Sequence, residues 1–505
     1  MMDRTAVVSV VLGLTCFQAV AQSDTLAEHY AKTITEGELR THLTILAADD
    51  YLGRETGKEG QKLAMEYLKQ QFVRMGVPSV PKTANGRIDE GYFQPFALVE
   101  ERSGSIGITG AGTRLEFMKD LLYFNEPLQA DLLVRRVIWM GDGSGIASMD
   151  RPTGSVLVVQ APDKDASSTM AWMRTITEAA NKNGAVALLV ATDSMAQLVG
   201  HFGQFVSGGR MRLAADATGS EKKRRTQTIL VDGTALDRLM GKNDRASLRD
   251  KRIGGKVRVR FSITRQNAEQ QLQGENVLAY IEGSDKKDEL VVITAHYDHL
   301  GVENGVVYNG ADDDGTGTVA LLEIADAFMQ AKAEGHGPRR SVLVMPVSGE
   351  EKGLLGSRYY SDHPVFPLER TVADLNIDMI GRSDSAHASG PPYVYVIGSD
   401  RLSSELHAVN EQANTRYVGL SLDYTFNAED DPNRFYYRSD HYNFARKGIP
   451  SIFYFSGVHE DYHQPGDDVE KIQFDLLLQR TKLVFHTAWT LADREDRPMV
   501  DKPAR

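Results

Sequence analysis

Short apolar runs recur through the C-terminal half of the chain, and each ends on an acidic residue or a histidine. VVITA leads into His296-Tyr297-Asp298, SVLVMPVSG (341–349) into Glu350-Glu351, LNIDMIGR carries Asp378, and IPSIFYFSG is followed by His463. Runs of this length read as buried strands. Residues 316–333, starting TGTVALLEIADAFMQ, and 474–492 have helical spacing, and NVLAYIEG and ELVVITAHYDH read as strands joined by a polar turn at 283–287. Strands alternating with helices predict an α/β fold: a mainly parallel central sheet with helices on both faces. Nearer the N-terminus, ITEGELRTHLTILAADD and GKEGQKLAMEYLKQQFVRMGV are amphipathic helical runs, with LGRETG a turn between them and 78–96 a loop.

The middle of the chain has another texture. RRVIWM (135–140), SVLVVQ (155–160), AVALLV (185–190) and the alternating VRVRFSITRQ (257–266) read as strands, with a helical run near 168–182. EKKRRTQT (221–228) is basic and reads as a solvated loop rather than a binding patch. No group of metal-type ligands falls in this stretch. The reading is a larger domain of 22–109 and 269–495, interrupted by a smaller mixed β/α domain at 110–268 and followed by a polar tail at 496–505.

A net charge of −12 and a pI near 5.6 argue against nucleic acid as a partner. The first 21 residues read as a signal peptide: Ala6–Leu14 is an apolar core and Ala19-Val20-Ala21 an A-x-A cleavage site. That core is well short of the ~20 residues a spanning helix needs, and no later stretch reaches that length. The expectation is an exported protein, periplasmic or secreted, with no membrane span in the mature chain. Cys16, the one cysteine, would leave with the leader, so no disulfide is expected.

Candidate chemistry sits where the strands end. Ligands of open α/β sheets bind at the carboxyl ends of the strands, so these segments would aim three carboxylates and two imidazoles at one cleft. Charges at that density are too costly to bury unpaired and call for metal. In extended chain His296 and Asp298 face the same side, and Asp298 can take the second ring N–H of a metal-bound histidine. By the same alternation His299 points away and is set aside. NGADDDGTG (309–317) offers Asp312, Asp313 and Asp314, among which spacing does not choose. Glu350 and Glu351 diverge, so one would be a ligand and the other a general base. Asp378, flanked by Ile377 and Met379, needs a metal or Arg382 as partner. His459-Glu460-Asp461-Tyr462-His463 spells H-E-x-x-H, a zinc motif that works only on a helix. Gly457 before it and Pro465-Gly466 after it predict a loop instead.

With these residues the chain resembles the M28 family of cocatalytic zinc peptidases over about 30–75 and 270–492. The resemblance implies two Zn²⁺ ions held by His296, Asp313, Glu351, Asp378 and His463, with Asp313 bridging and the Asp313–Asp314 bond cis. It makes Asp298 the support of His296, Glu350 the general base, and Tyr462 similar to a tyrosine that supports the tetrahedral intermediate in some relatives. The insert resembles a protease-associated (PA) domain, mostly by position. The implied activity is two-metal hydrolysis of peptide bonds in peptides or small proteins, as an aminopeptidase. A carboxypeptidase or dipeptidase on the same site, a glutaminyl cyclase, a receptor-like relative without metals and an H-E-x-x-H protease are the alternatives. A substrate's free amine would want acids near the metals, and a free carboxylate would want an arginine, with Arg382, Arg434 and Arg438 as candidates. Side-chain preference and oligomeric state are not legible.

Overall fold

The computed structural model describes residues 25–503 apart from 82–90, 102–105, 124–130, 150–153, 163–164, 208–209, 218–225, 241–251 and 266–268. The signal-peptide reading and most of the basic run 221–228 lie outside the described residues. The chain separates into two compact units. One holds the described residues up to Leu98 and from Leu272 onward; the other is Val99–Gln271.

The first unit is built on a seven-stranded sheet of β1 (Ala279–Ile281), β2 (Lys286–His296), β3 (Arg340–Val347), β4 (Thr371–Ile377), β5 (Tyr393–Ile397), β6 (Ser421–Asp423) and β7 (Ser451–Phe455), in the order β1-β3-β2-β4-β7-β5-β6. The central pairs β3–β2, β2–β4 and β4–β7 are parallel. β1 on β3 and β5 on β7 are antiparallel, and β6 runs parallel to β5. Consecutive side chains of β2 go to opposite faces. Val291, Ile293 and Ala295 enter the core with helices α1 (Glu36–Leu46), α2 (Glu59–Arg74), α3 (Gly317–Ala333) and α7 (Phe474–Asp493). Leu290 and Val292 enter the core beneath α4 (Leu355–Asp362) and α6 (His441–Ala445). A further helix, α5 (Ser404–Ala413), packs on α7. Val291, Val292 and Ile293 are fully buried, each worth about 1.5–3 kcal/mol. Burial on both faces is why β2 reads as an uninterrupted apolar run rather than an alternating one. At the start of α1, Thr35 accepts from the Glu38 amide at 3.3 Å and donates to its carboxylate at 2.7 Å, a reciprocal cap.

The second unit has its own eight-stranded mixed sheet, with 156–160, 187–192 and 227–232 running parallel at its centre. Two expectations change. Phe93–Glu101 is a strand, so the loop expected to reach 96 ends earlier; Pro95 and Gln94 weakened its apolar pattern. Gln227–Asp232 is also a strand, concealed by the charged residues before it. No helix among the described residues is long and apolar enough to cross a membrane.

Burial leaves uncharged groups in the first unit. Glu323 on α3 is buried, which pushes its carboxyl up to about 8; burial also pushes His42, 3.6 Å away, down to about 4. Folded Glu323 therefore keeps a proton that the unfolded chain has released, and its contribution to stability falls as pH rises from about 4.5 to 8. Glu323→Gln should melt progressively higher relative to wild type as pH is raised from 5 to 8.5. A melting difference that is the same at both pH values would refute the buried neutral acid.

Candidate metal centre

The carboxyl ends of β2, β3, β4 and β7 lie side by side in the parallel part of the sheet. His296 is the last residue of β2, Asp378 follows β4 directly, Glu350 and Glu351 follow β3 after a turn at Ser348-Gly349, and His463 sits in the turns beyond β7. Asp313 comes from the segment Ala311–Thr316 before α3, and its bond to Asp314 is cis. These side chains form two triads that share Asp313: His296, Asp313 and Asp378, and His299, Asp313 and Glu351. The candidate ligand atoms within each triad lie within 4.8 Å of one another. His296 Nε2 is 3.3 Å from Asp313 Oδ1 and 3.7 Å from Asp378 Oδ1. His463 Nε2 is 3.2 Å from Asp313 Oδ2 and 3.1 Å from Glu351 Oε2.

His299 belongs in this group although strand alternation set it aside. β2 stops at His296, so the alternation does not extend three residues further. His299 Nδ1 lies 2.8 Å from Glu351 Oε1 and 3.9 Å from Asp313 Oδ2. The same end of strand changes how His296 is supported. Its Nδ1 lies 3.0 Å from the Asp298 main-chain oxygen but 3.8 Å from the Asp298 carboxylate. The carbonyl, not the expected carboxylate, is at hydrogen-bond distance, which leaves Nε2 for the cleft. The Asp298 carboxylate instead accepts from the Thr56 hydroxyl at 2.6 Å and from the Glu350 amide at 3.3 Å.

The three consecutive aspartates divide into one that faces the cleft and two that build it. Asp312 accepts from the Gly381 amide at 2.6 Å and the Thr316 hydroxyl at 3.0 Å, with His459 Nε2 at 3.2 Å. Asp314 accepts from the amides of His296 (3.2 Å), Gly317 (2.9 Å) and Met379 (3.1 Å), and so ties the ends of β2 and β4 to the start of α3. Asp467 receives the amides of Asp312 and Asp313 at 3.1 Å. Gly310 precedes the segment with φ +53, where an added Cβ would stand 2.4 Å from the His299 ring. Asp378 is steadied by the Ser439 hydroxyl at 2.7 Å, which accepts in turn from Asn376 at 2.8 Å. Asp467 lies 154 residues beyond Asp313 and Ser439 lies 61 beyond Asp378, so no spacing in the sequence tied them to the residues they hold.

His459 and His463 do not act as an i, i+4 pair. The segment is a run of turns, and the two rings address different carboxylates, Asp312 for His459 and Asp313 with Glu351 for His463. Arg382 is not the partner of Asp378: it binds Asp461 at 2.6 Å and Glu460 at 3.1 Å.

The donor set fits a metal. Nitrogen and carboxylate oxygen are the atoms zinc takes. His296 Nε2, His299 Nδ1, Asp313 Oδ2 and Glu351 Oε1 are buried and form no hydrogen bond among the described residues. Without a cation, protons must hold the group together. Burial opposes charge on His463, but Asp313 and Glu351 outweigh it and push the imidazole up to about 10. Burial, helped by Glu351, Asp378 and Asp440 against His296, pushes the Glu350 carboxyl well up. Met379, Phe435, Phe453, Phe455 and Val458 line one pocket together with the acids Asp313, Glu350 and Asp378 and with Arg438, Tyr462 and His463. Arg438 reaches the Tyr462 hydroxyl at 3.3 Å, and the Tyr462 ring stacks on His463 at 3.9 Å between centroids.

Residues 276–488 match Peptidase family M28. Over 259 residues the chain is 28% identical to a probable zinc metalloprotease of Pyrenophora teres f. teres, covering 44% of this chain and 52% of that protein. It is 28% identical over 224 residues to aminopeptidase YwaD of Bacillus subtilis (43% and 44%), and 30% identical over 228 residues to leucine aminopeptidase 1 of Coccidioides posadasii (44% and 56%). The chain spans about half the length of the curated relatives it matches. Among solved structures, an aminopeptidase from Aneurinibacillus sp. strain AM-1 aligns with TM-score 0.56 at 18% identity, covering 95% of this chain and all of that one. A zinc aminopeptidase from Bacillus subtilis aligns with TM-score 0.53 at 17% identity, covering 94% and 99%. These alignments establish a shared fold.

Alanine replacements separate the two histidines of H-E-x-x-H. His463→Ala should lose zinc, measured by elemental analysis after dialysis, whereas His459→Ala should retain clearly more of it. Equal loss from both would restore the paired-histidine site.

Proposed function

We propose, from the match of residues 276–488 to Peptidase family M28 and the two triads that share Asp313, that the protein is an exported zinc-dependent aminopeptidase holding two Zn²⁺ ions. His296, Asp313 and Asp378 would hold one ion, and Asp313, Glu351 and His463 the other. His463 Nε2, 3.2 Å from Asp313 and 3.1 Å from Glu351, would supply the nitrogen in place of His299, whose Nδ1 stands 2.8 Å from Glu351 without a hydrogen bond to it. When bound, zinc supplies Lewis acidity to the scissile carbonyl and to the water that attacks it.

Glu350 is left for proton transfer. It lies in the ring of ligands, with Oε2 4.0 Å from His296 Nε2, and belongs to neither triad. Its carboxylate takes a proton from the attacking water and passes it to the nitrogen of the departing amine. Tyr462 lines the same pocket and can donate its hydroxyl to the developing oxyanion. Apolar side chains of Met379, Phe435, Phe453, Phe455 and Val458 line the same pocket as Glu350 and Asp378, which suits an apolar first side chain next to the reacting centre. The observation that carries the reading is the convergence of both triads on Asp313. The Val99–Gln271 unit, read as PA-like, supplies none of these residues.

One observation favours a second reading. Arg438 lines the pocket, and an arginine there can hold a substrate carboxylate, as a dipeptidase or carboxypeptidase requires.

Zinc-loaded protein should release the first residue from peptides beginning with leucine or phenylalanine and leave their N-acetylated forms intact. Glu350→Gln should lower kcat roughly 10²–10⁴-fold while its zinc content stays at the wild-type level. Cleavage of acetylated peptides at the rate of free ones would refute the aminopeptidase. A collapse of activity in Arg438→Ala on dipeptides, with dipeptide amides unaffected, would establish the second reading.

A further inference from the structure

The turn joining α1 to α2 does more than connect them. Leu52, Gly53 and Arg54 all have left-handed backbones, with φ of 50°, 62° and 52°. For Leu and Arg this costs roughly 1–2 kcal/mol each. A Cβ on Gly53 would stand 2.4 Å from the Gly301 main-chain oxygen, so the turn sits tightly against the chain that follows β2.

This backbone carries the Arg54 side chain into the interior, where it is 1% exposed. Its guanidinium donates to four main-chain oxygens: Tyr297 at 2.9 Å, Leu46 at 2.8 Å, Asn309 at 2.6 Å and Gly310 at 2.8 Å. Tyr297 lies between His296 and Asp298, and Asn309-Gly310 lead directly into Asp312–Asp314. The main-chain oxygen of Arg54 accepts from the His299 amide at 3.2 Å. Two residues on, the Thr56 hydroxyl holds the Asp298 carboxylate at 2.6 Å. Burial disfavours charge on Arg54, whereas Asp467, Asp298, Asp313 and Asp314 favour it.

We infer that Arg54 and Thr56 are positioning residues of the metal centre: together they fix Tyr297–His299, the chain that directly follows His296, and the loop before α3, which carries the shared Asp313. The inference rests on the zinc reading above and adds to it a segment outside the matched residues 276–488. A lysine cannot reproduce the clamp, because one ammonium lacks the planar fork that reaches carbonyls on separate loops. Arg340 is an internal contrast. It is equally buried and donates to the main-chain oxygens of Leu491, Arg494 and Glu495 at the end of α7, touching neither loop.

The test is zinc affinity of the full chain by competition with a chromophoric chelator, alongside melting of the metal-free protein. Wild type, Arg54→Lys, Thr56→Val and Arg340→Lys are compared. Arg54→Lys or Thr56→Val should bind zinc roughly tenfold or more weakly, as changes just outside a ligand set do. Arg340→Lys should melt lower yet keep wild-type affinity. Wild-type affinity in both clamp variants overturns the inference, as does an equal loss in Arg340→Lys, since affinity would then follow general stability. If Arg54→Lys fails to fold, Thr56→Val decides alone. A wild-type chain that takes up no zinc refutes the zinc reading itself.

Discussion

Carboxylates and imidazoles crowd together at the ends of β2, β3, β4 and β7, and their mutual repulsion and desolvation must be met by a cation. Asp313, Glu350, Glu351 and Asp378 are all largely buried, and three further acids around them, Asp298, Asp314 and Asp440, are pushed up by burial. An ordinary fold would not collect so many. Under the proposed function, two dications shared through Asp313 would turn this cost into binding energy.

Around that requirement the fold supplies rigidity. Parallel strands end together by construction, so one sheet brings distant parts of the sequence within a few ångströms of each other. The loops beyond the strand ends have no such regularity and are held by buried polar groups instead. Asp314 joins two strand ends to a helix, Asp467 holds the amides of Asp312 and Asp313, Ser439 steadies Asp378, and Arg54 gathers carbonyls from the loop after β2 and the loop before α3. Each of these groups is satisfied by main chain or by another polar side chain, as burial demands.

This division explains what was legible in the sequence. Elements with a period were readable: β2 as an apolar run, α3 and α7 by helical spacing, and with them the strand ends where ligands gather. The turn nature of 459–463 was readable too, from Gly457 and Pro465-Gly466. His299 was not, because strand alternation does not extend past His296, where the strand stops. The support of His296 shifted for the same reason, from the Asp298 carboxylate to its carbonyl. The roles of Asp312 and Asp314 depend on partners more than sixty residues away, Gly381 and Met379, and no local pattern encodes them. Arg54 lay in a turn that composition marked only as a link.

The most direct test is crystallographic: data collected on both sides of the zinc absorption edge from zinc-grown crystals. The account predicts two anomalous peaks, one beside His296 and Asp378 and one beside Glu351 and His463, with an Asp313 carboxylate oxygen facing each and Glu350 bound to neither. No peak between these side chains, or a peak held by His459 and His463 together, would contradict it.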